Sequence, residues 1–330
     1  MAGPALALAV SRAGGLGFIG SRDETTTTDL SETADLLSQT PFSHPTRGST
    51  LPIGLGYIVW LADLSMASAA WAEHKPAAVW LFAPARGQEQ LDEWARKIRE
   101  VSPESQVWVQ VGTLAEAVAC ATSPDAPDVL VIQGTEAGGH GRAKDGIGLT
   151  VLLPEVSDAL QALGGTAARI PLLGAGGIAD GRGVAAALAL GASGVVMGTR
   201  FLASPETRVA KGYQDEVVRS ADGAESTVRT LLYNHLRGVF GWPAPWAPRM
   251  LKNLSWEEEQ RGVAFEELQR KHDEALKDGH KAWGREEGRA GTYAGAGVGL
   301  VNGVKWAGEV VEEVRGEAKR ILVELTAGDA

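Results

Sequence analysis

The chain has 330 residues, 44% hydrophobic and 22% charged, the balance expected of a soluble globular protein with one large core. A net charge of −10 argues against nucleic acid or an anionic membrane as partner, because both demand clustered Lys and Arg. The single cysteine, Cys120, excludes an internal disulfide framework and fits a reducing, intracellular setting, the cytoplasm first of all.

A helix is predicted over residues 4–13. The apolar start, residues 1–10, lacks the basic flank of a signal peptide and runs straight into Gly14-Gly15-Leu16-Gly17, so no export signal is expected. No apolar run reaches the length of a membrane span. Seven apolar runs follow, at 16–19, 53–59, 78–82, 107–111, 129–132, 170–173 and 194–197. Between them lie helix candidates at 29–39, 62–73, 88–100, 114–122, 154–163 and 183–190. Continuous apolar strands alternating with helices predict a parallel sheet covered on both faces. The fold class expected is α/β: a (β/α)8 TIM-type barrel lacking or truncated at its first strand. Seven strands are legible and a closed barrel needs eight, so the missing strand is expected ahead of residue 1, or the barrel is open.

After Phe201 the rhythm stops, and residues 1–204 are read as the barrel. Residues 205–292 are read as a mostly helical extension on the substrate side. It has a turn at Gly241-Trp-Pro-Ala-Pro-Trp246 and one charged amphipathic helix over 257–277. Residues 293–330 are read as a glycine loop and a helix over 309–325 that return to the barrel. Residues 21–50, with four successive Thr and two Pro, predict an exposed excursion carrying one short helix. The Trp residues near 242 are expected to pack loops onto the body rather than bind ligand. Cys120, in a helix-like run, suits a buried apolar role better than a redox one.

Ile170-Pro-Leu-Leu-Gly-Ala-Gly-Gly-Ile-Ala-Asp180 is a buried strand ending in glycines, with Asp180 placed to cap the next helix. Glycines let backbone N–H groups approach an anion, and a helix N-terminus adds a favourable dipole. The next strand delivers a second turn, Met197-Gly198-Thr199. Two such turns on adjacent strands, at Gly177 and Gly198, predict a phosphate cup. No GxGxxG opens a helix after a strand, so a dinucleotide fold is the weaker reading.

Val129-Leu-Val-Ile-Gln-Gly-Thr-Glu-Ala-Gly-Gly-His-Gly-Arg142 is a strand that empties into a glycine-rich loop. Gln133 ends the strand, where a barrel places its ligands. His140 follows two glycines, and an imidazole can take or return a proton near neutral pH. Glu136 is expected to cap backbone N–H groups or orient the loop, and Arg142 faces either a substrate anion or solvent. The other histidines, at 44, 74, 235, 272 and 280, lie in turns or charged helices without metal-ligand spacing, so no metal is expected.

Together these motifs resemble the nitronate monooxygenases, formerly called 2-nitropropane dioxygenases. The residues that carry the resemblance are Ala13-Gly-Gly-Leu-Gly-Phe-Ile-Gly20, Gln133-Gly-Thr-Glu-Ala-Gly-Gly-His-Gly141, Gly174-Ala-Gly-Gly-Ile-Ala-Asp-Gly181 and Leu190-Gly-Ala-Ser-Gly-Val-Val-Met-Gly-Thr-Arg-Phe201. Tyr293-Ala-Gly-Ala-Gly-Val-Gly-Leu300 fits as well. The resemblance implies a flavoprotein with non-covalent FMN, no metal, and oxidative cleavage of alkyl nitronates by O2 to a carbonyl compound and nitrite. It implies that Gln133 and Gly138 approach the flavin while Gly177, Met197, Gly198 and Thr199 hold its phosphate end. Gln110 is a further candidate beside the ring system. His140 would be the base that deprotonates a neutral nitroalkane, and Tyr293 lines the substrate pocket or packs. The family's opening strand ends in Ala-Pro-Met; here Met1 falls on that Met. Gly56 stands where bacterial relatives often carry a polar amide.

Two other readings stay open. One is an FMN-dependent NAD(P)H reductase of quinones or enoyl thioesters; the other is a truncated FMN-binding relative without activity.

Overall fold

Strand residues of this chain alternate between two apolar environments, and that alternation builds the main sheet. The computed structural model describes residues 1–21, 26–40, 42, 49–277, 279, 282–284 and 287–327. Among them the strands are β1 (Gly17–Gly20), β2 (Leu51–Ile58), β3 (Pro76–Phe82), β4 (Gln106–Val111), β5 (Val129–Gln133), β6 (Gly139–Arg142), β7 (Leu172–Ala175), β8 (Gly194–Val196), β9 (Thr227–Arg229) and β10 (Trp246–Leu251). Seven form one parallel sheet in the order β1-β2-β3-β4-β5-β7-β8, curled into an open (β/α) barrel with β1 and β8 at its ends. Each predicted apolar run overlaps one strand of this sheet.

The inner face is filled by Ala78, Trp80, Trp108, Val131, Ala175 and Phe18, while Val79, Leu81, Val109 and Leu130 face the surrounding helices. Phe18 meets Trp80 edge-on at 5.3 Å and Trp108 at 4.9 Å, so three aromatic rings plug the interior. Phe18 fits because its partner across the β1–β2 ladder is Gly54, where a Cβ would stand 2.1 Å from the ring. The same alternation puts Gln110 and Gln133 on the inner face at the carboxyl ends of β4 and β5.

Several elements differ from the sequence reading. The helix predicted over 154–163 spans Leu149–Leu163 and contains Pro154. It starts early because the Glu136 carboxylate accepts from Leu149 N at 3.0 and 3.1 Å, capping it from the preceding loop. The single helix expected over 257–277 is two, Leu254–Gln260 and Phe265–Lys277. Gly262, at φ +83°, stands between them in the left-handed conformation that ends a helix. A second sheet, in the order β6-β10-β9, joins the glycine-rich loop after β5 to two strands of the extension. The helical reading missed those strands because β9 is three residues long and β10 carries Pro248. In the excursion the helix spans Thr26–Gln39, and residues 22–25, 41 and 43–48 lie outside the described residues.

The last helix spans Ala307–Ala327. Glu317 accepts from Gly181 N at 2.7 Å, and a Cβ at Gly181 would stand 2.5 Å from Ala318 N, so this helix lies tightly on the one at Gly181–Ala189. Among the described residues no helix is long and apolar enough to cross a membrane.

Gly54→Val is expected to destabilise the barrel by about 1–3 kcal/mol, the scale of overpacking in a tight core. Thermal unfolding checks this, and an unchanged midpoint would show that Phe18 is free to move aside.

Candidate functional site

At the carboxyl end of the barrel a cavity of about 190 Å³ opens between three glycine-rich segments. Its walls include Gln133, Gly138, Gly177, Gly198, Thr199 and the indole of Trp80. Five sequence-predicted residues therefore come together: Gln133, Gly138, Gly177, Gly198 and Thr199. Gly177 adopts φ +72°, which favours glycine, while a Cβ at Gly198 would meet nothing within 4 Å. Among the described residues no acceptor meets the N–H groups of Gly177, Gly198 or Thr199. The dipole of the next helix is already engaged: Asp180 accepts from Arg182 N and Gly183 N, and Glu317 takes Gly181 N. Any anion in the cup is thus left to the turns, not to that helix end.

A third wall comes from the C-terminal glycine string. Gly295 N donates to Thr199 Oγ1 at 3.0 Å, and Ala296 N donates to Glu136 O at 2.8 Å. The backbones touch so closely that a Cβ at Gly138 would lie 2.5 Å from Gly295 N, and one at Gly297 would lie 2.6 Å from Gly177 O. Gly295 and Gly297 were legible only as part of the string shared with the family.

The loop between β5 and β6 is held by a buried cation. Arg229 has no carboxylate partner among the described residues. Its Nη1 donates to Gly139 O at 3.2 Å and also to Ala247 O, and its Nη2 donates to Thr135 O at 3.1 Å and Ala137 O at 3.0 Å. Burial lowers its pKa to about 10, with the nearby Arg249 adding repulsion. Arg249, its cross-strand neighbour, donates from Nε to Thr135 O at 3.0 Å. Nothing in the local sequence flagged either arginine.

His140 lies two residues past Gly138, on β6 opposite Pro248. Its ring stacks on Trp242 with centroids 3.5 Å apart and planes 9° apart, and Tyr293 leans on it at 5.8 Å. Asn234, only 1% exposed, brings its amide Nδ2 to 3.0 Å from His140 Nε2. Burial, then the positive charges of Arg237 and Arg229, push the imidazole pKa down to about 3. The ring is therefore neutral at physiological pH. Trp242 packs a loop, as the sequence suggested, but the surface it packs on is the imidazole itself.

The remaining candidates are spread around these two centres. Gln110 is buried on the inner face, and among the described residues neither its Nε2 nor the Trp80 Nε1 has a hydrogen-bond partner. Met197 packs against the helix-side core and does not line the cavity, although its neighbours Val196 and Gly198 do. Tyr293 receives a 2.6 Å hydrogen bond on its hydroxyl from Arg237, and its backbone N–H donates to Tyr213 Oη at 2.8 Å. Arg142 pairs with Glu116 at 2.8 Å and with Asp145, over the ring of Trp246. Cys120 is buried, its thiol donates to Gln88 Oε1 at 3.1 Å, and burial pushes its pKa up to about 12. Among the described residues no cluster of His, Cys, Asp and Glu could hold a metal ion, and His44 and His280 lie outside them.

Comparison with known proteins identifies the family. The family model "Nitronate monooxygenase" matches residues 98–239. Nitronate monooxygenase npaC of Metarhizium robertsii is 55% identical, covering 99% of this chain and 90% of its own. A nitronate monooxygenase of Neurospora crassa is 34% identical, covering 98% and 87%. Among solved structures, FabK from Thermotoga maritima matches with a TM-score of 0.72 at 26% identity, over 99% of this chain and 92% of FabK. A nitroalkane oxidase from Streptomyces ansochromogenes has the same fold, with a TM-score of 0.71 at 21% identity over 98% and 94%. With sequence identity sustained along almost its whole length, the chain belongs to the nitronate monooxygenase family and is an oxidoreductase of that kind.

Proposed function

We propose that the chain binds FMN in the glycine-walled cavity and oxidises alkyl nitronates with O2 to a carbonyl compound and nitrite. The observation that carries this reading is the set of N–H groups on Gly177, Gly198 and Thr199, which lack an acceptor among the described residues and share one cavity with Gln133 and Gly138. Aligned main-chain donors suit a phosphate that has no lysine partner. The unpartnered Trp80 Nε1 and Gln110 Nε2 are buried polar groups on the inner face, as the polar edge of a ring system requires. Bound FMN supplies the electron transfer, and the protein supplies placement, dryness and charge.

The charge is positive where it matters. Arg229 and Arg237 face His140, so a nitronate anion is favoured there and an imidazolium is not. The site therefore suits pre-ionised nitronates best. His140, neutral and able to accept a proton, serves as the base for neutral nitroalkanes, and Tyr293, its hydroxyl held by Arg237, lines the substrate side. Under anaerobic conditions a nitronate should bleach the flavin band while NADH and NADPH leave it intact. Bleaching by NAD(P)H alone would instead identify a reductase of quinones or enoyl thioesters. A protein that takes up FMN but responds to neither is the inactive relative.

Three outcomes are expected of variants. Gly198→Asp should lose FMN, read from absorbance and the apo fraction, yet keep its fold, because a Cβ there meets nothing within 4 Å. Full FMN content would contradict the phosphate cup. His140→Asn should keep FMN and lose turnover of neutral nitroalkanes by a factor about 10²-fold greater than its loss on nitronates; equal losses would remove the base assignment. Folded His140 binds its proton only near pH 3, whereas in the unfolded chain it does so at about 6.5. The stability it contributes is present above about pH 6.5 and is lost as pH falls toward 3. His140→Asn should therefore flatten that part of the melting temperature against pH, and an unchanged slope would show the ring is not buried neutral.

A further inference from the structure

Asn234 sits in the short helix Leu232–Leu236 of the extension, 94 residues along the chain from His140, and is 1% exposed. Its Nδ2 lies 3.0 Å from His140 Nε2, and its Oδ1 is buried with no hydrogen-bond partner among the described residues. One face of the ring stacks on Trp242, and its backbone is paired through β6 and β10. Charged and titratable groups facing the ring are Arg229 from β9, Arg237 just after the Leu232–Leu236 helix and the Tyr293 phenol. Among the described residues no carboxylate bonds to it.

A neutral imidazole has one N–H and one lone pair. With the amide N–H donating to Nε2, that lone pair is taken and the ring proton sits on Nδ1, so neither nitrogen can accept a proton from substrate. Turning the amide over about its last torsion exchanges the two ends. Oδ1 then accepts from Nε2–H, which leaves the Nδ1 lone pair free; Nδ1 has no partner among the described residues. We propose that Asn234 is the positioning residue of His140, its Oδ1 holding the ring as the Nε2–H tautomer so that Nδ1 is the proton acceptor. This rests on His140 acting as the base. In the step itself the substrate Cα–H bond breaks and its electron pair stays on the substrate as the nitronate. The proton forms Nδ1–H, and Nε2–H keeps its bond to Oδ1. The pair gives a buried imidazolium an acceptor that Arg229 and Arg237 cannot provide.

The test is ¹⁵N NMR of the histidine rings in the full-length protein, with the His140 signals identified by their loss in His140→Asn. Wild type should show His140 as the Nε2–H tautomer. Asn234→Asp, which can only accept, should keep that tautomer and move the acid limb of kcat/KM for a neutral nitroalkane to higher pH. Asn234→Leu should shift the ring toward Nδ1–H and lower kcat for the neutral nitroalkane about ten-fold more than for the nitronate. A wild-type Nδ1–H tautomer, or ring signals and an acid limb unmoved in both variants, overturns the proposal. If Asn234→Leu does not fold, the wild-type and Asn234→Asp spectra still decide it. Equal loss on both substrates in His140→Asn would refute the base assignment alone, while the tautomer would remain readable.

Discussion

The guanidinium of Arg229 is the interaction on which the site depends. A buried cation without a carboxylate is costly, and here it is stabilised by four backbone carbonyls: those of Thr135, Ala137 and Gly139 in the loop, and Ala247 in β10. Hydrogen bonds from a charged donor are the strong ones. Because three of the acceptors, Thr135, Ala137 and Gly139, lie within five residues of one another, they fix the path of that segment and tie it to β10 through Ala247. That path places Gly138 on the cavity wall and, two residues later, His140 on β6.

The same charge tunes what the loop presents. Arg229 and Arg249 stand opposite each other on β9 and β10, a repulsive arrangement that persists because both reach the carbonyl of Thr135. Burial, then the positive charges of Arg237 and Arg229, holds His140 neutral. Arg229 therefore acts on both the path of the loop and its electrostatics, and Arg237 adds to the second. The groups packed around the His140 ring and the Arg229 guanidinium, from β9, β10, Asn234, Arg237 and Trp242, all come from residues 205–292.

How much of this could be read from sequence depended on range. The parallel strands were legible because buried βα units write continuous apolar runs, and the glycine turns at Gly177 and Gly198 because a strand-to-turn change is local. Glu136 was readable as a cap, although not that its target was Leu149. Asn234 and Arg229 were not legible. A buried Asn in a five-residue helix looks like any other, and an arginine bonding distant carbonyls leaves no spacing to recognise. The long helix expected over 257–277 failed at Gly262, where one left-handed residue outweighed a continuous charge pattern. Arg142 was ambiguous until Glu116, 26 residues away in sequence, appeared beside it.

The most direct measurement of the central claim is amide hydrogen exchange with and without FMN. The account predicts slowed exchange at Gly177, Gly198 and Thr199, whose N–H groups would pass from no acceptor to a phosphate, with the loop at 134–140 protected alongside them. Exchange unchanged at those amides while FMN is demonstrably bound, or protection confined to another face of the barrel, would contradict it.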